Sequence, residues 1–216
     1  MKTDALIQQD GMDELKWEPA LNATEIGVAV HNGVVTLSGY VNSYAKKFAA
    51  ERAAWRVKGV KAVAEELEIR LPGDSRVPDE EIADSIVRTL KWNTAIPDER
   101  TKVKVTGGWV YLEGEVDWNF QKEAAFNAVR HLKGVTGVTN LIAVKPRVNT
   151  VLVKDSIRKA LERSADLEAA NVRVDTLGSK VILRGTARSW AEKRTIENAA
   201  WSAPGVATID DELIIA

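Results

Sequence analysis

Three stretches of the chain alternate apolar and polar positions and then stop at a glycine. They are Val34-Val35-Thr36-Leu37-Ser38-Gly39, Trp109-Val110-Tyr111-Leu112-Glu113-Gly114 and Lys180-Val181-Ile182-Leu183-Arg184-Gly185. A period of two predicts a strand with one buried face. Another alternating run precedes each: Ile26, Val28 and Val30; Thr101, Val103 and Val105; Val172, Val174 and Thr176. Between the runs lie Asn32-Gly33, Gly107-Gly108 and Gly178-Ser179, pairs that tolerate the positive φ of a tight hairpin. Further upstream the apolar spacing changes to four, at Ile7, Gly11 and Leu15, at Ile82, Ile86 and Leu90, and at Val153, Ile157 and Leu161. That spacing predicts a helix with one apolar face. Asp79, after Pro78, is the expected N-cap of the second such helix. Gly11 is the weak member of the first trio, since an interior glycine costs about 1 kcal/mol against alanine, so the first helix of repeat one is expected to be the least stable.

Downstream of each closing glycine a second helix is expected, over residues 43–58, 118–133 and 189–203. Its C-terminal side carries Gly59, Gly134 and Gly205, where a helix end favours glycine. A third strand follows, built on Val63, Leu67 and Ile69, on Val138, Leu141 and Val144, and on Ile209, Leu213 and Ile215. Aligning Gly39, Gly114 and Gly185 brings most of each unit into register without gaps, so the chain is a threefold internal repeat. The expected fold class is α+β: three tandem αββαβ domains, each a three-stranded mixed sheet with two helices on one face. The expected domains are residues 1–72, 77–146 and 149–216, joined by short proline-bearing linkers. Gly33, Gly39, Gly59, Gly108, Gly114, Gly134, Gly185 and Gly205 are the structural glycines of this plan.

Composition narrows the function classes. The formal net charge is −1, and no third of the chain is strongly charged, so there is no basic footprint for nucleic acid. There is no cysteine, which excludes disulfides, thiolate-bound zinc and a thiol nucleophile. The N-terminus lacks the apolar core of about 7–15 residues that a secretory leader needs, and no stretch approaches the roughly 20 apolar residues of a membrane span. The expected location is cytoplasmic, or periplasmic if a leader has been removed.

The repeated stretches Asn32-Gly33-Val34-Val35-Thr36-Leu37-Ser38-Gly39 and Gly59-Val60-Lys61-Ala62-Val63, with their two echoes, resemble the BON domain of bacterial osmotically inducible and nodulation proteins. The resemblance covers nearly the whole chain. It implies an αββαβ fold, an association with osmotic or envelope stress and attachment to phospholipid membranes. A relative with this domain is linked to potassium binding, which makes a cytoplasmic ion or small-ligand sensor the alternative. Secreted members carry two copies behind a signal peptide; three copies and a start without a leader-like apolar stretch lead to the expectation of a cytoplasmic rather than an envelope location. The family implies no catalytic residues, so the expectation is a non-enzyme without a cofactor, engaging a membrane surface or a protein partner.

The residues offer little catalytic chemistry. His31 and His131 have no histidine at the equivalent positions of the other repeats and no convergent partners. Gly134-Val135-Thr136-Gly137 matches the GxxG backbone clamp of some RNA-binding domains, but its setting is a helix-to-strand turn. Glu65-Glu66 and Asp210-Asp211-Glu212 are read either as a solvated strand edge or as oxygen ligands for a cation. Lys47, Lys122 and Lys193 share one second-helix position and are the candidate lipid contacts. On those helices Ala49, Ala53 and Val57, with Ala124, Ala128 and Leu132, and Ala199 and Ala203, form the expected sheet-facing stripe. The opposite face carries Tyr44, Phe48 and Trp55 in repeat one and Trp190 and Trp201 in repeat three, with Phe126 alone in repeat two. These aromatics are the candidate interface, between domains or between copies of the chain. Trp17 and Trp92 are expected in core or hinge packing, and Trp109 in an exposed hairpin.

Overall fold

A computed structural model describes residues 2–71, 77–145, 157, 159 and 172–215. The linker residues 72–76 and 146–149 lie outside the described residues, as do Val153 and Leu161 of the third expected first helix.

The first module runs α1 (Asp4–Trp17), β1 (Ile26–His31), β2 (Val34–Val41), α2 (Tyr44–Arg56) and β3 (Ala62–Ile69). The second runs α3 (Asp79–Trp92), β4 (Thr101–Thr106), β5 (Trp109–Val116), α4 (Asn119–Val129), β6 (Gly137–Asn140) and β7 (Ala143–Val144). The third supplies β8 (Val172–Leu177), β9 (Lys180–Ala187), α5 (Trp190–Trp201) and β10 (Thr208–Ile215). The described chain groups into two compact units. One takes in the first module with residues 77–84, 105–110 and 130–137, the other residues 85–104, 111–129 and 138–145 with the third module.

In each sheet the glycine-ended strand is central. β1 pairs antiparallel with β2 from Ile26↔Gly39 to His31↔Val34, and β3 pairs parallel with β2 from Val34↔Ala62 to Val41↔Ile69. β8, β9 and β10 repeat that plan, with Val172↔Gly185 and Lys180↔Thr208. The second sheet has the order β4-β5-β6, with β7 parallel to β5. This is the expected α+β, mixed-sheet architecture.

In the first module Ile7 and Leu15 of α1 and Ala50, Ala53, Ala54 and Val57 of the α2 segment close over Ile26, Val28, Val35, Leu37, Val41 and Leu67. Gly11 is buried in α1, and a Cβ there would meet Val28 at an ordinary 3.5 Å. In the third module Ile157 is buried in a core with Val174, Val181, Leu183, Ile196, Ala200 and Leu213.

Three sequence-based expectations need correction here. Ala53, Val57 and Ala203 of the expected sheet-facing stripe are buried, but the stripe also takes in Ala50 and Ala54, Ala125 and Val129, and Ile196 and Ala200, so elsewhere it lies one position on from the expected one. Ala49, Ala124, Ala128 and Ala199 are only half-buried, because small residues flank the stripe on both sides and give its edge no polar marker. In the second module Val138 and Val144 are buried as expected, but the residue buried between them is Ile142, 1% exposed between β6 and β7, whereas Leu141 is 56% exposed. Asn140 causes the break between β6 and β7: its Oδ1 accepts from the Ile142 amide at 3.2 Å while its Nδ2 donates to the Lys122 carbonyl at 2.9 Å. Finally, Asp79 is inside the helix rather than its cap. Its carboxylate reaches across to accept from the amides of Gly107 and Gly108 at 2.7 and 2.8 Å. Asp4 does the same for Asn32 and Gly33 at 2.7 and 3.0 Å.

Candidate interaction surfaces

The eight structural glycines all hold positive φ, from 79° at Gly108 to 137° at Gly114. The approach is close at Gly39 and Gly114, where the short 3-10 turns Ala23–Glu25 and Asp98–Arg100 lie against the central strand. A Cβ on either glycine would sit 2.1 Å from the Glu25 or Arg100 carbonyl oxygen. Gly137 has a different reason. The Trp109 indole lies where its Cβ would be, 2.4 Å away, so the second glycine of the GxxG match seats a side chain. Trp109 is 44% exposed, as its hairpin position suggested.

Two of the three helix lysines, Lys47 and Lys193, turn inward. Lys47 Nζ donates to the Leu67 carbonyl at 2.8 Å and pairs with Glu65 at 2.9 Å. Lys193 donates to the Leu213 carbonyl at 3.0 Å and pairs with Asp211 at 2.6 Å. Their ammonium groups are committed to their own third strands, which leaves them poorly placed to meet a lipid headgroup. Glu65 and Asp211 thereby gain lysine partners on the helix-facing side of the sheet, and Asn140 takes the same place in module two through the Lys122 carbonyl. No cluster of metal-ligating side chains occurs among the described residues. His31 accompanies Asn32 at 3.0 Å, and His131 accepts from Arg130 Nε at 3.3 Å.

Module three adds Glu197 on α5. Burial, then its hydrogen bond and like charge with Asp211, push the Glu197 carboxyl from its ordinary 4.5 up to about 7, against the pull of Lys193 and Arg194. Burial works in the same direction on Asp211, but the Lys193 ammonium, Glu197 and the Leu213 amide together hold it below its ordinary range. The folded state therefore keeps a proton on Glu197 between about pH 4.5 and 7 that the unfolded chain has released. The stability this contributes is complete below pH 4.5 and is lost as pH rises toward 7. The Asp211 contribution has the opposite sign and disappears only at lower pH. Glu197→Gln should flatten the decline between pH 5 and 7 and raise stability at pH 7.5 by on the order of 1 kcal/mol, after allowing for solvent screening. Thermal melts across that range test this, and a variant whose curve still falls in parallel with the parent refutes it.

The candidate aromatics occupy intermediate settings. Tyr44, Phe48, Trp55, Phe126, Trp190 and Trp201 are all half-buried. Trp55 and Trp201 pack at the margins of their own cores, and Trp55 Nε1 donates to Glu51 at 3.3 Å. The Arg130 guanidinium lies 4.6 Å over the Phe48 ring, and the Lys193 ammonium 5.2 Å from the Trp190 ring. The fully exposed rings are elsewhere. Trp17 and Trp92 are 84% and 85% exposed, contrary to the core or hinge packing expected of them. Each is the last residue of its helix, beyond the turn that Leu15 or Leu90 anchors, so the indole points past the core. Trp118 and Phe120, at the start of α4, are also exposed, and the repeat alignment of apolar helix positions overlooked them.

The surroundings of Trp17 and Trp92 differ. Around Trp17 the charges neutralise one another: Lys16 pairs with Asp13, and Arg56 with Glu14 and Glu18. Beside Trp92, Arg88 and Lys91 make no ion pair among the described residues, and Val87 is 57% exposed. Positions three and four apart share a helix face, so Arg88, Lys91 and Trp92 form one patch.

Comparison with known proteins places this geometry in a family. The BON domain model matches residues 3–70, 78–146 and 149–216. Osmotically-inducible protein Y of Escherichia coli is 32% identical over 129 residues, covering 58% of this chain and 64% of that protein. The chain thus spans under two thirds of that relative's length. An uncharacterized protein of Anaplasma centrale is 27% identical over 125 residues, covering 56% of this chain and 83% of its own length. Among solved structures, CdsD, a structural protein of the type III secretion system of Chlamydia trachomatis, overlaps 98% of this chain and 93% of its own, at 16% identity and a TM-score of 0.27. At that TM-score the overlap carries no argument.

Proposed function

Because the chain belongs to the BON domain family, we propose that it is a non-catalytic, osmotic-stress-associated binding protein whose tandem modules dock on a phospholipid membrane surface. The stress association is supported by the likeness to a relative named as osmotically inducible. The end of α3 carries the membrane reading. There an indole 85% exposed stands beside Arg88 and Lys91, which make no ion pair among the described residues, and an exposed valine. Indole rings favour the boundary between water and lipid. Each basic residue near an anionic membrane adds about 1 kcal/mol. No helix among the described residues is long and apolar enough to cross a membrane, so contact through α3 would be at the surface. Tyr44, Phe48, Trp55, Phe126, Trp190 and Trp201 are assigned instead to packing between domains or between copies, a reading supported by the Arg130–Phe48 stack.

Co-sedimentation with vesicles tests the membrane reading. Binding should require phosphatidylglycerol and weaken with salt, since exposed charges are screened. Arg88→Glu with Lys91→Glu should lower affinity about thirtyfold, at about 1 kcal/mol for each lost cation. Trp92→Ser should weaken binding more than Trp17→Ser. Equal binding to neutral vesicles, or indifference to the double charge reversal, would sink the proposal.

A further inference from the structure

The second module departs from its siblings at the start of α4. The N-caps of α2 and α5 are serines: Ser43 Oγ accepts from the Lys46 amide at 3.3 Å, and Ser189 Oγ from the Glu192 amide at 3.2 Å. In α4 the same position is Trp118, which offers no side-chain acceptor. Losing a hydroxyl cap weakens a helix by about 1 kcal/mol. Gln121 compensates in part, its Oε1 accepting from the Asp117 and Trp118 amides at 3.0 Å each. Two residues further, where the siblings carry Ala45 and Ala191, Phe120 is 57% exposed. Two neighbouring substitutions therefore place large rings in water and give up a cap. Such a local violation of stability rules marks a functional position.

The Trp118 and Phe120 rings stand 6.4 Å apart, inclined at 37°. Together with Glu123 and Asn127 of α4 and Asn198 and Trp201 of α5 they line a groove of about 560 Å³. Among the described residues no lysine or arginine lines it, and Glu123 makes no ion pair. Three aromatic rings and the Glu123 carboxylate thus give the described lining apolar walls and one negative charge. Ring faces attract a cation, but they replace the water shell well only when that cation is weakly hydrated. Sodium or potassium would retain its water, and an anion would find no positive partner among the described lining residues. We infer that this groove is a binding site for a small quaternary ammonium cation. The rings hold the methylated nitrogen, Glu123 balances its charge, and the Asn127 and Asn198 amides meet a polar group on the rest of the ligand.

The test is a tryptophan-fluorescence titration of the full chain with choline chloride at constant ionic strength. The neutral tert-butyl isostere of choline is titrated in parallel. Choline should saturate, and the uncharged isostere should bind about tenfold more weakly or worse, because only the cation is drawn to the ring faces. Trp118→Ser installs the siblings' cap, so its melting temperature should not fall while choline affinity drops about tenfold. Phe120→Ala, the sibling residue, should weaken binding similarly, and Glu123→Gln about threefold. Equal binding of choline and its isostere overturns the inference, as does undiminished affinity in both ring variants. Phosphatidylcholine vesicles that bind through Trp118 when free choline does not would likewise overturn it.

Discussion

Gly114→Ala is expected to unfold the second module's hairpin under conditions where the parent is native. The added Cβ would lie 2.1 Å from the Arg100 carbonyl oxygen, and the backbone there holds φ 137°. Neither contact is with the flexible end of a side chain, so relief requires the Asp98–Arg100 turn to lift off β5. Alanine substitution at a glycine with positive φ is destabilising by itself, and the backbone clash adds to it. The loss should be about 3 kcal/mol or more. For a module of this size that is roughly a 15 °C fall in melting temperature. Gly39→Ala should act in the same way on the first module, where the Glu25 carbonyl is at the same 2.1 Å. Hydrogen exchange read by mass spectrometry should show the loss of protection over residues 101–116 for Gly114→Ala. A variant with parental exchange there and an unshifted melt would refute the account.

Asp79→Ala should destabilise the same hairpin by about 2 kcal/mol, since hydrogen bonds to a charged group contribute about 1.5–3 kcal/mol and one of these amides can turn to water. The carboxylate accepts from two successive amides at the tight turn, 2.7 Å from Gly107 and 2.8 Å from Gly108. It ties the first turn of α3 to a loop 28 residues away in sequence. Asp79→Asn keeps one acceptor oxygen and should lose about half as much. Exchange of the Gly107 and Gly108 amides would rise in Asp79→Ala before any global unfolding. Unchanged amide protection would show that the contact contributes nothing. Asp4→Ala is the matching experiment on Asn32 and Gly33.

These two devices differ in how well the sequence disclosed them. Gly114 was visible as a strand-ending glycine at a repeated position, although its reason, the carbonyl pressed against it, was not. Asp79 was visible only as a helix-start residue, because capping is a local rule and the hairpin it serves is distant in sequence. The available signal was the repetition of Asp4 and Asp79 at the same register opposite Asn32-Gly33 and Gly107-Gly108. Leu141 was misread for a related reason. Both Leu141 and Ile142 suit a core, and only the turn made by Asn140 decides which one faces inward. The lysines show the limit most clearly. Lys47 and Lys193 look like solvated surface charges by type and spacing, yet the third strand places a carboxylate and a carbonyl oxygen beneath each.

The sequence by itself determined the repeat, the order of elements, the α+β class and most of the core. Those follow from periodicity and turn chemistry, which are properties of neighbouring residues. Only the tertiary structure decided which aromatics meet water. Burial depends on what packs over a helix end or a cap, and Trp17, Trp92, Trp118 and Trp201 are the same residue type in different surroundings. The exposed patch at Trp92 and the groove at Trp118 therefore come from where chain segments distant in sequence do and do not cover one another.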